Sequence, residues 1–254
     1  MQIIEINGKN IDAEHICCAL GNDKVNKQHA ETKKQWMKER FADGLVFKRL
    51  NERGKVFIEY MPAENAWKPI IADNYMAINC LWVSGQFKGQ GWSVKLLDEC
   101  LKDARDKKMN GVVVVSSNRV KPFLTDKKFY EKNGFAVTDT AQPYFELLTF
   151  KFNKEAPDPK FADAAKTGKC RIAEGMVFVY CNQCPFMESY VAFLADLASK
   201  RGIKIDIRKL QSPSEAREIG SPFGTLGIYY NGEFAAHDLM PEKKFNGFLD
   251  ELGL

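Results

Sequence analysis

The sequence predicts an α/β fold divided into two domains. Segments of alternating or β-branched apolar residues, typical of strands, are interspersed with segments whose apolar residues recur at helical spacing. Residues 153–169 interrupt this pattern with two prolines, many charges and little apolar periodicity, as expected for a linker or an irregular helix. We therefore predict a first domain at residues 1–152, a linker at 153–169 and a smaller second domain at 170–254.

The composition is that of a globular protein and excludes a disordered chain. Of the 254 residues, 45% are hydrophobic and 28% are charged. A net charge of +4, from 37 basic and 33 acidic residues, is too balanced to indicate a nucleic-acid partner. Since the sequence shows neither a secretion signal nor a run of about 20 apolar residues, we expect no membrane partner. Seven cysteines, an odd number, fit a reducing cytoplasm better than a disulfide framework.

The first domain alternates strands with helices. Strands are predicted at residues 3–6, 45–50, 56–61, 75–83, 112–115, 135–138 and 144–152. Helices are predicted at residues 24–42, around a buried stripe of Val94, Leu97, Cys100, Leu101 and Ala104, and just before Asn133 and Gly134. The basic helix at 24–42 favours a solvated face over a nucleic-acid face.

The second domain has the predicted order β-α-β-α-β-β-α. Its strands are expected at residues 177–180, 203–207, 226–230 and 233–236. Its helices are expected at residues 189–201, 212–219 and 241–252.

A glycine-rich segment, residues 83–93, joins the predicted central strand to the striped helix. Such a turn presents free backbone N–H groups and the positive end of the helix dipole, which together stabilise a phosphate group. The glycines let the backbone approach a ligand without interference from a Cβ atom. The segment lacks the Gly-Lys-Ser/Thr of a P-loop and the Gly-x-Gly-x-x-Gly of a dinucleotide site.

This segment resembles the pyrophosphate loop of the GNAT family of acetyl-CoA-dependent N-acyltransferases, which reads Gln/Arg-x-x-Gly-x-Gly/Ala. A literal match begins at Gln86. A register two residues later is favoured, because an aromatic residue, Phe87, then precedes the loop and the pair Leu96 and Leu97 follows it. In that register Lys replaces Arg or Gln and Ser replaces the last Gly or Ala. The resemblance then implies that pyrophosphate is bound by Lys88, Gly89, Gln90, Gly91, Trp92 and Ser93.

A second feature extends the resemblance over residues 1–152. The run Phe129-Tyr130-Glu131 followed by Gly134-Phe135 is similar to the family's Phe-Tyr-Glu-x-x-Gly-Phe signature. The resemblance implies an α+β GNAT fold with a mixed, mostly antiparallel sheet. It also implies acetyl-CoA as cosubstrate and an amine acceptor, and it leaves open whether the protein is a monomer or a homodimer.

The resemblance also implies roles for individual residues. Tyr130 is the expected general acid beside the CoA sulfur, the alternative being an aromatic ring that only packs against the CoA arm. Backbone groups of Leu81, Trp82 and Val83 are expected to contact the acetyl and pantetheine groups. The general base is expected to be Glu59 or Glu64, acting directly or through water. For either carboxylate alone, a solvated surface position is the alternative.

The second domain carries a Cys-x-x-Cys motif, Cys181 and Cys184, between a strand and a helix. This resembles the thioredoxin fold, in which a cysteine at a helix N-terminus becomes a usable thiolate. Gly224 stands where that family has a cis-proline, which favours a redox-inert docking domain over thiol–disulfide exchange. No second Cys-x-x-Cys or His pair completes a zinc site, and no metal is predicted.

The whole chain resembles acetyltransferases that carry a YoaP-type C-terminal domain. The predicted function is transfer of an acetyl group from acetyl-CoA to the amine of a small molecule or peptide. Two alternatives stay open: a thiol–disulfide oxidoreductase acting through Cys181 and Cys184, and an acyl-CoA-binding module without turnover.

Overall fold

The computed structural model describes residues 1–16, 18–171, 174–219 and 221–254. The chain divides into two compact units. The first comprises Met1–Ala66 and Ile70–Phe161, and the second comprises Trp67–Pro69 and Ala162–Leu254. Three residues from the middle of the first unit's sequence therefore belong structurally to the second.

The first unit is built on a twisted mixed sheet. Its described strands have the order β1-β2-β3-β5-β6-β8-β7. They span Ile3–Ile6 (β1), Val46–Leu50 (β2), Val56–Pro62 (β3), Tyr75–Val83 (β5), Gly111–Ser117 (β6), Ala136–Ala141 (β7) and Phe145–Lys151 (β8). Strands β5 and β6 are parallel and the other neighbouring pairs are antiparallel. The expected mixed, mostly antiparallel sheet is confirmed. A separate short pair joins β4 (Ile70–Ile71) to β9 (Lys160–Phe161).

Helices cover both faces of this sheet. They span Lys24–Arg40 (α1), Trp92–Asp106 (α2) and Lys127–Lys132 (α3). Helix α2 buries an apolar stripe against strands β3, β5 and β6, in the same cluster as Tyr130 and Phe135. The prediction for Val94 is wrong, because Val94 is 41% exposed and the first turns bury Trp92 and Leu96 instead.

Strand β5 leaves its parallel partner halfway along its length. Pairing with β6 begins at Tyr75 opposite Gly111 and ends at Ile78 opposite Val114, although β5 continues to Val83. Against β3, Glu59 faces Cys80 and Tyr60 faces Ile78, so that Asn79 is an extra, bulged residue. One edge of residues 79–83 is thus open beside the glycine-rich loop.

The second unit has its own sheet and helices. Its strands, in the order β11-β10-β12-β13, are Ile205–Lys209, Met176–Tyr180, Leu226–Tyr230 and Glu233–Ala236. Its helices are Asp163–Thr167 (α4), Met187–Lys200 (α5), Pro213–Ile219 (α6) and Glu242–Glu251 (α7). The order predicted for residues 170–254 is confirmed. Residues 153–169, predicted as a linker or irregular helix, contain β9 and α4. Among the described helices, none has the length and apolar character needed to cross a bilayer.

Candidate active site

The glycine-rich loop has an open surface. After β5, residues Gly85–Phe87 form a turn of 3-10 helix, and Gly89 and Gly91 follow with φ angles of 75° and 78°. These left-handed conformations favour glycine. A Cβ atom placed on Gly85, Gly89 or Gly91 would have no neighbour within 4 Å. A ligand can therefore approach the loop backbone from the side on which a Cβ atom of Gly85, Gly89 or Gly91 would lie.

The N-terminus of α2 is suited to an anion. Gly91 is its N-cap, no side chain caps it, and its first turn holds no acidic residue. The first N–H groups of a helix lack intrahelical partners and carry partial positive charge. Lys88 is exposed, and the Lys95 ammonium lies 4.4 Å from the centre of the Trp92 ring. These features fit a pyrophosphate group. Gly91 belongs to the motif in both registers considered for the loop, so its position at the cap fits either one.

Backbone groups of β5 line the open edge. The Leu81 carbonyl accepts a hydrogen bond from the Thr125 hydroxyl at 3.1 Å, so the Leu81 backbone faces away from β3. Alternation along the strand gives Val83 the same direction. Trp82 lies opposite Phe57 and directs its N–H and C=O towards β3. Of the three residues predicted to contact the acyl arm, two present backbone groups to the open edge and Trp82 does not.

Tyr130 lies on α3 in the core formed by α2 and the sheet, with 1% of its surface exposed. Its ring is 5.2 Å from those of both Phe129 and Phe135. Burial raises the pKa of Tyr130 well above its ordinary value, and the side chain of Thr125 opposes this only in part. The phenol is consequently protonated at neutral pH.

Glu59 lies on the face of the sheet opposite to Tyr130. It forms a buried ion pair with Lys33 of α1, and its other oxygen accepts a hydrogen bond from the Asn79 side-chain amide at 3.2 Å. The surface position considered for Glu59 is therefore wrong. On α1, Lys33 is buried, whereas Lys24, Lys27 and Lys38 are exposed, as expected for a solvated face. Glu64 is exposed and accepts a hydrogen bond from the Asn74 backbone. Ile58 and Tyr60, the neighbours of Glu59, face the core that holds Tyr130, so Glu59 and Tyr130 lie on opposite sides of β3.

The Cys-x-x-Cys motif lies in the second unit, between β10 and α5. Cys181 is fully buried, and its thiol lies 3.7 Å from the Gly224 carbonyl oxygen as a hydrogen-bond donor. Gly224 has a φ of 89°, and a Cβ there would lie 2.9 Å from Lys68 Cγ and 3.0 Å from the Trp67 carbonyl oxygen. A proline could not adopt this positive φ, and its ring would have no room at this position. Trp67 and Lys68 therefore cover the position at which the predicted fold has its cis-proline.

Sequence reasoning missed several residues around the open edge. Thr125 and Ser116 bridge β5, β6 and the segment before α3, and Asn79 forms the bulge. Thr125 lies directly before Asp126, the N-cap of α3, which is a recognisable signal for the helix but none for a contact with Leu81. Within the described residues, no group of three or more His, Cys, Asp and Glu side chains is arranged as metal ligands.

Comparison with known proteins gives matches in both units. Residues 24–151 match the acetyltransferase (GNAT) domain family, and residues 205–246 match the YoaP-like family. An uncharacterized N-acetyltransferase of Bacillus subtilis strain 168, YoaP, is 40% identical over 253 residues, which cover 99% of this chain and 100% of that protein.

Two solved structures have lower similarity. PaiA N-acetyltransferase from Thermoplasma acidophilum, solved with coenzyme A, is 16% identical, with a TM-score of 0.42 over 60% of this chain and 100% of its own. A GNAT-family acetyltransferase from Staphylococcus aureus Mu50 is 15% identical, with a TM-score of 0.40 over 60% of this chain and 99% of its own. The domain match over half of the chain and the nearly full-length relative decide the family. The chain belongs to the GNAT family of N-acetyltransferases, which use acetyl-CoA as the acetyl donor.

Proposed function

We propose that the first unit transfers the acetyl group of acetyl-CoA to the amino group of a small molecule or an exposed peptide end, with residues 81–93 and Tyr130 as its working parts. The observation that carries this proposal is the open edge of β5, which is followed along the chain by the glycine-rich loop and the uncapped N-terminus of α2. The thioester and the pyrophosphate of acetyl-CoA are joined by its pantetheine arm, so that one molecule can occupy both the edge and the helix terminus.

The pyrophosphate is held by the loop of residues 88–93. Backbone N–H groups of Gly89, Gln90, Gly91, Trp92 and Ser93 supply hydrogen bonds, and the dipole of α2 supplies a positive potential. Lys88 adds a cation, although its ammonium is a point charge without the two-pronged geometry of arginine. The open space over the three glycines supports this assignment.

The acyl arm lies along β5. The Leu81 and Val83 backbones face the open edge, where their N–H groups hold and orient the pantetheine and acetyl oxygens. Trp82 is left out of this contact, since its backbone is directed towards β3. This is the part of the site that fixes the thioester carbonyl for attack by the amine.

Tyr130 protonates the departing sulfur. When the amine nitrogen bonds to the thioester carbon, the C–S bond breaks and the sulfur takes the phenolic proton of Tyr130. The phenolate then regains a proton from solvent. A phenol that stays protonated at neutral pH is the form that this step needs.

The acceptor ammonium must lose a proton before it attacks. We assign this role to Glu59 acting through water, because its contact with Asn79 connects it to the bulge of β5. The ion pair with Lys33 keeps this carboxylate on the α1 side of the sheet. The substrate amine would thus approach from the face opposite to Tyr130.

For the second unit we propose a thioredoxin-like, redox-inert docking module in a reducing cytoplasm. Support comes from the complete burial of Cys181 and from the cover that Trp67 and Lys68 form over Gly224. Insulin reduction by the full chain, compared with Cys181→Ser and Cys184→Ser variants, tests the alternative of thiol–disulfide exchange. Wild-type reduction that is lost in both variants would overturn the assignment.

The deciding experiment is thermal stability with and without acetyl-CoA in reducing buffer. A ligand at ~100 times its dissociation constant adds about 2.7 kcal/mol to the stability of the unit that binds it. Gly91→Phe should abolish the shift because its ring fills the space over the loop. Gly202→Phe is the matched control, since Gly202 has a φ of 74° and similarly open surroundings in the second unit. A shift that survives Gly91→Phe would refute the loop assignment.

Release of free CoA in the presence of a panel of amines then separates turnover from binding. We expect CoA release that depends on at least one amine. Binding without any amine-dependent release would favour the acyl-CoA-binding module instead.

A further inference from the structure

The segment between β6 and α3, residues 118–125, borders the open edge of β5. Strands β5 and β6 run parallel and pair over only part of their length, so their later residues separate at the same end of the sheet. The segment leaves the tip of β6, where the Asn118 N–H donates to the Tyr144 carbonyl at 3.0 Å. It returns to β5 at Thr125, whose hydroxyl donates to the Leu81 carbonyl at 3.1 Å. The segment therefore spans the gap between the two strands, beside the proposed position of the thioester.

Two buried serines fix the ends of this segment. Ser117 donates to the Arg119 carbonyl at 2.5 Å, and Ser116 donates to the Thr125 carbonyl at 2.8 Å. Between these ends Phe123 has a φ of 66°, which is strained for a bulky residue, although its side chain is 51% exposed. Backbone strain of this kind is concentrated at functional sites. The conformation of the segment is thus fixed by specific contacts, and burial of Phe123 does not account for it.

Two basic side chains of the segment gather at one aromatic ring. The Arg119 guanidinium carbon lies 4.6 Å from the centre of the Tyr144 ring, and the Lys121 ammonium lies 4.1 Å from it. The Tyr144 side chain is buried, whereas Arg119 is exposed to solvent. The face of an aromatic ring attracts each cation, but the two cations repel one another. An anion bound close to both would relieve this repulsion.

The charge of Arg119 has no carboxylate partner in the part of the chain that the structure describes, and its guanidinium contacts the Tyr144 ring instead. By contrast, Lys127, the first residue of α3, is paired with Glu146 at 2.9 Å. A guanidinium offers parallel N–H donors that match the oxygens of a carboxylate or a phosphate. An anionic group on a ligand therefore complements Arg119 in both charge and geometry.

We propose that Arg119 and Lys121 select the acceptor, and that this acceptor is an amine bearing a carboxylate or a phosphate group. The inference rests on the proposed acetyl transfer at the open edge of β5. The anionic group binds beside the Tyr144 ring, while the amine of the same molecule reaches the thioester near Leu81. Because the two cations contact the substrate away from the reacting atoms, they affect the binding of the acceptor and not the chemical step.

The experiment compares three amines that differ only in the group at the far end of a two-carbon chain: ethanolamine, β-alanine and O-phosphoethanolamine. The full chain is used with acetyl-CoA as donor. We expect kcat/KM for at least one anionic amine to exceed that for ethanolamine at least tenfold, and the better of the two identifies carboxylate or phosphate as the preferred group. Equal kcat/KM for the three amines would overturn the inference.

Arg119→Gln should remove most of this preference. We expect kcat/KM for the preferred anionic amine to fall about tenfold through KM, as for loss of one charge-assisted hydrogen bond, with ethanolamine unaffected. Equal losses for ethanolamine and the anionic amines would overturn the inference. Weaker binding of acetyl-CoA by Arg119→Gln would also overturn it, because the cation would then serve the donor.

Arg105→Gln is the matched control. The Arg105 guanidinium is also 4.6 Å from the centre of an aromatic ring, that of Phe152. Phe152 follows Lys151, which pairs with Gly111 at the opposite end of β6 from the segment. Loss of this charge should leave kcat/KM for all three amines unchanged. A loss of the preference for anionic amines as large as in Arg119→Gln would overturn the assignment to one site.

A second measurement needs no turnover. With tyrosine labelled by carbon-13 at ring carbon Cζ, the Tyr144 resonance, identified by its loss in Tyr144→Phe, should shift when acetate or inorganic phosphate is added at constant ionic strength. The shift should be lost in Arg119→Gln and retained in Arg105→Gln. An unchanged resonance in the wild type would overturn the inference about Arg119 alone. A shift without CoA release in the presence of any amine would instead overturn the proposed acetyl transfer, and the selection of an acceptor with it.

Discussion

Lys33 and Glu59 form an ion pair between α1 and β3 in which each side chain is 2% exposed. The Lys33 ammonium also lies 4.2 Å from the centre of the Trp36 ring, and the second oxygen of Glu59 is bonded to Asn79. A pair this deeply buried gains little over an apolar pair of the same size, but either member left alone is costly. The pair therefore fixes α1 over the bulge of β5.

Lys33→Met should destabilise the first unit by about 3–5 kcal/mol, because it leaves a buried carboxylate without its charged partner. Lys33→Met/Glu59→Gln should recover most of this loss, and urea unfolding of both variants measures it. Lys102→Met is the control, since its pair with Asp106 is more than 60% exposed on both sides and should contribute less than about 1 kcal/mol. A loss in Lys33→Met as small as in the control would refute the burial argument.

Tyr130→Phe should lower kcat by at least tenfold, with little change in acetyl-CoA affinity. General acids contribute about 10²–10⁴-fold to the rate, so a loss near the lower end of that range is expected. The ring and its contacts with Phe129 and Phe135 remain. Tyr75→Phe is the control, because it removes a different tyrosine hydroxyl, one on β5 that donates to the Pro157 carbonyl at 3.0 Å. Steady-state CoA release and calorimetric binding of acetyl-CoA provide the two readouts. Equal kcat in both variants would remove Tyr130 from the mechanism.

Gly224→Ala should destabilise the second unit more than Gly202→Ala does. Both positions have positive φ, for which an alanine costs about 1–2 kcal/mol. Only at Gly224 does the new Cβ press on Trp67 and Lys68, and such overpacking costs about 1–3 kcal/mol more. Urea denaturation followed by tryptophan fluorescence compares the two variants. Equal losses of stability in the two variants would mean that Trp67 and Lys68 move aside without an energetic cost.

Lowering the pH should reduce the free energy of unfolding, because folded His15 resists protonation. Burial, together with the charge of Arg49, lowers the pKa of His15 below its ordinary value of 6.5. Above pH 6.5 the side chain is neutral in both states. As the pH falls below 6.5, the unfolded chain gains a proton that folded His15 does not, until the pH reaches the lowered folded value. The free energy of unfolding measured between pH 7.5 and 5 should decrease less in His15→Gln than in the wild type. Equal slopes would contradict this prediction.

Local patterns sufficed for most elements of the fold. The strand at residues 75–83 and the hairpin strands at 226–230 and 233–236 are found with the predicted bounds, because period-two apolar patterns and turn residues are local signals. The positive φ of Gly89 and Gly91 likewise agrees with a loop recognised from its glycines.

The remainder depends on contacts between distant positions. The burial of Lys33 requires Glu59, 26 residues later, and the bulge at Asn79 appears only when β5 is aligned with β3. The link from Thr125 to Leu81 spans 44 residues. Neither composition nor periodicity records such pairings, since a lysine in a basic helix looks the same whether it is solvated or paired.

The assignment of Trp67–Pro69 to the second unit has a consequence for how the chain can be divided. A fragment beginning at residue 162 or 170 would be synthesised without Trp67 and Lys68, which lie against Gly224. The Gly224 carbonyl accepts a hydrogen bond from the Cys181 thiol, so a dithiol assay on that fragment would probe a cysteine whose surroundings differ from those in the full chain. Conversely, a fragment ending at residue 152 would carry Trp67 and Lys68 with nothing to bury them. Expression designs based on the apparent linker would expose apolar surface in both products and invite aggregation. The natural unit for biochemical work is therefore the undivided chain.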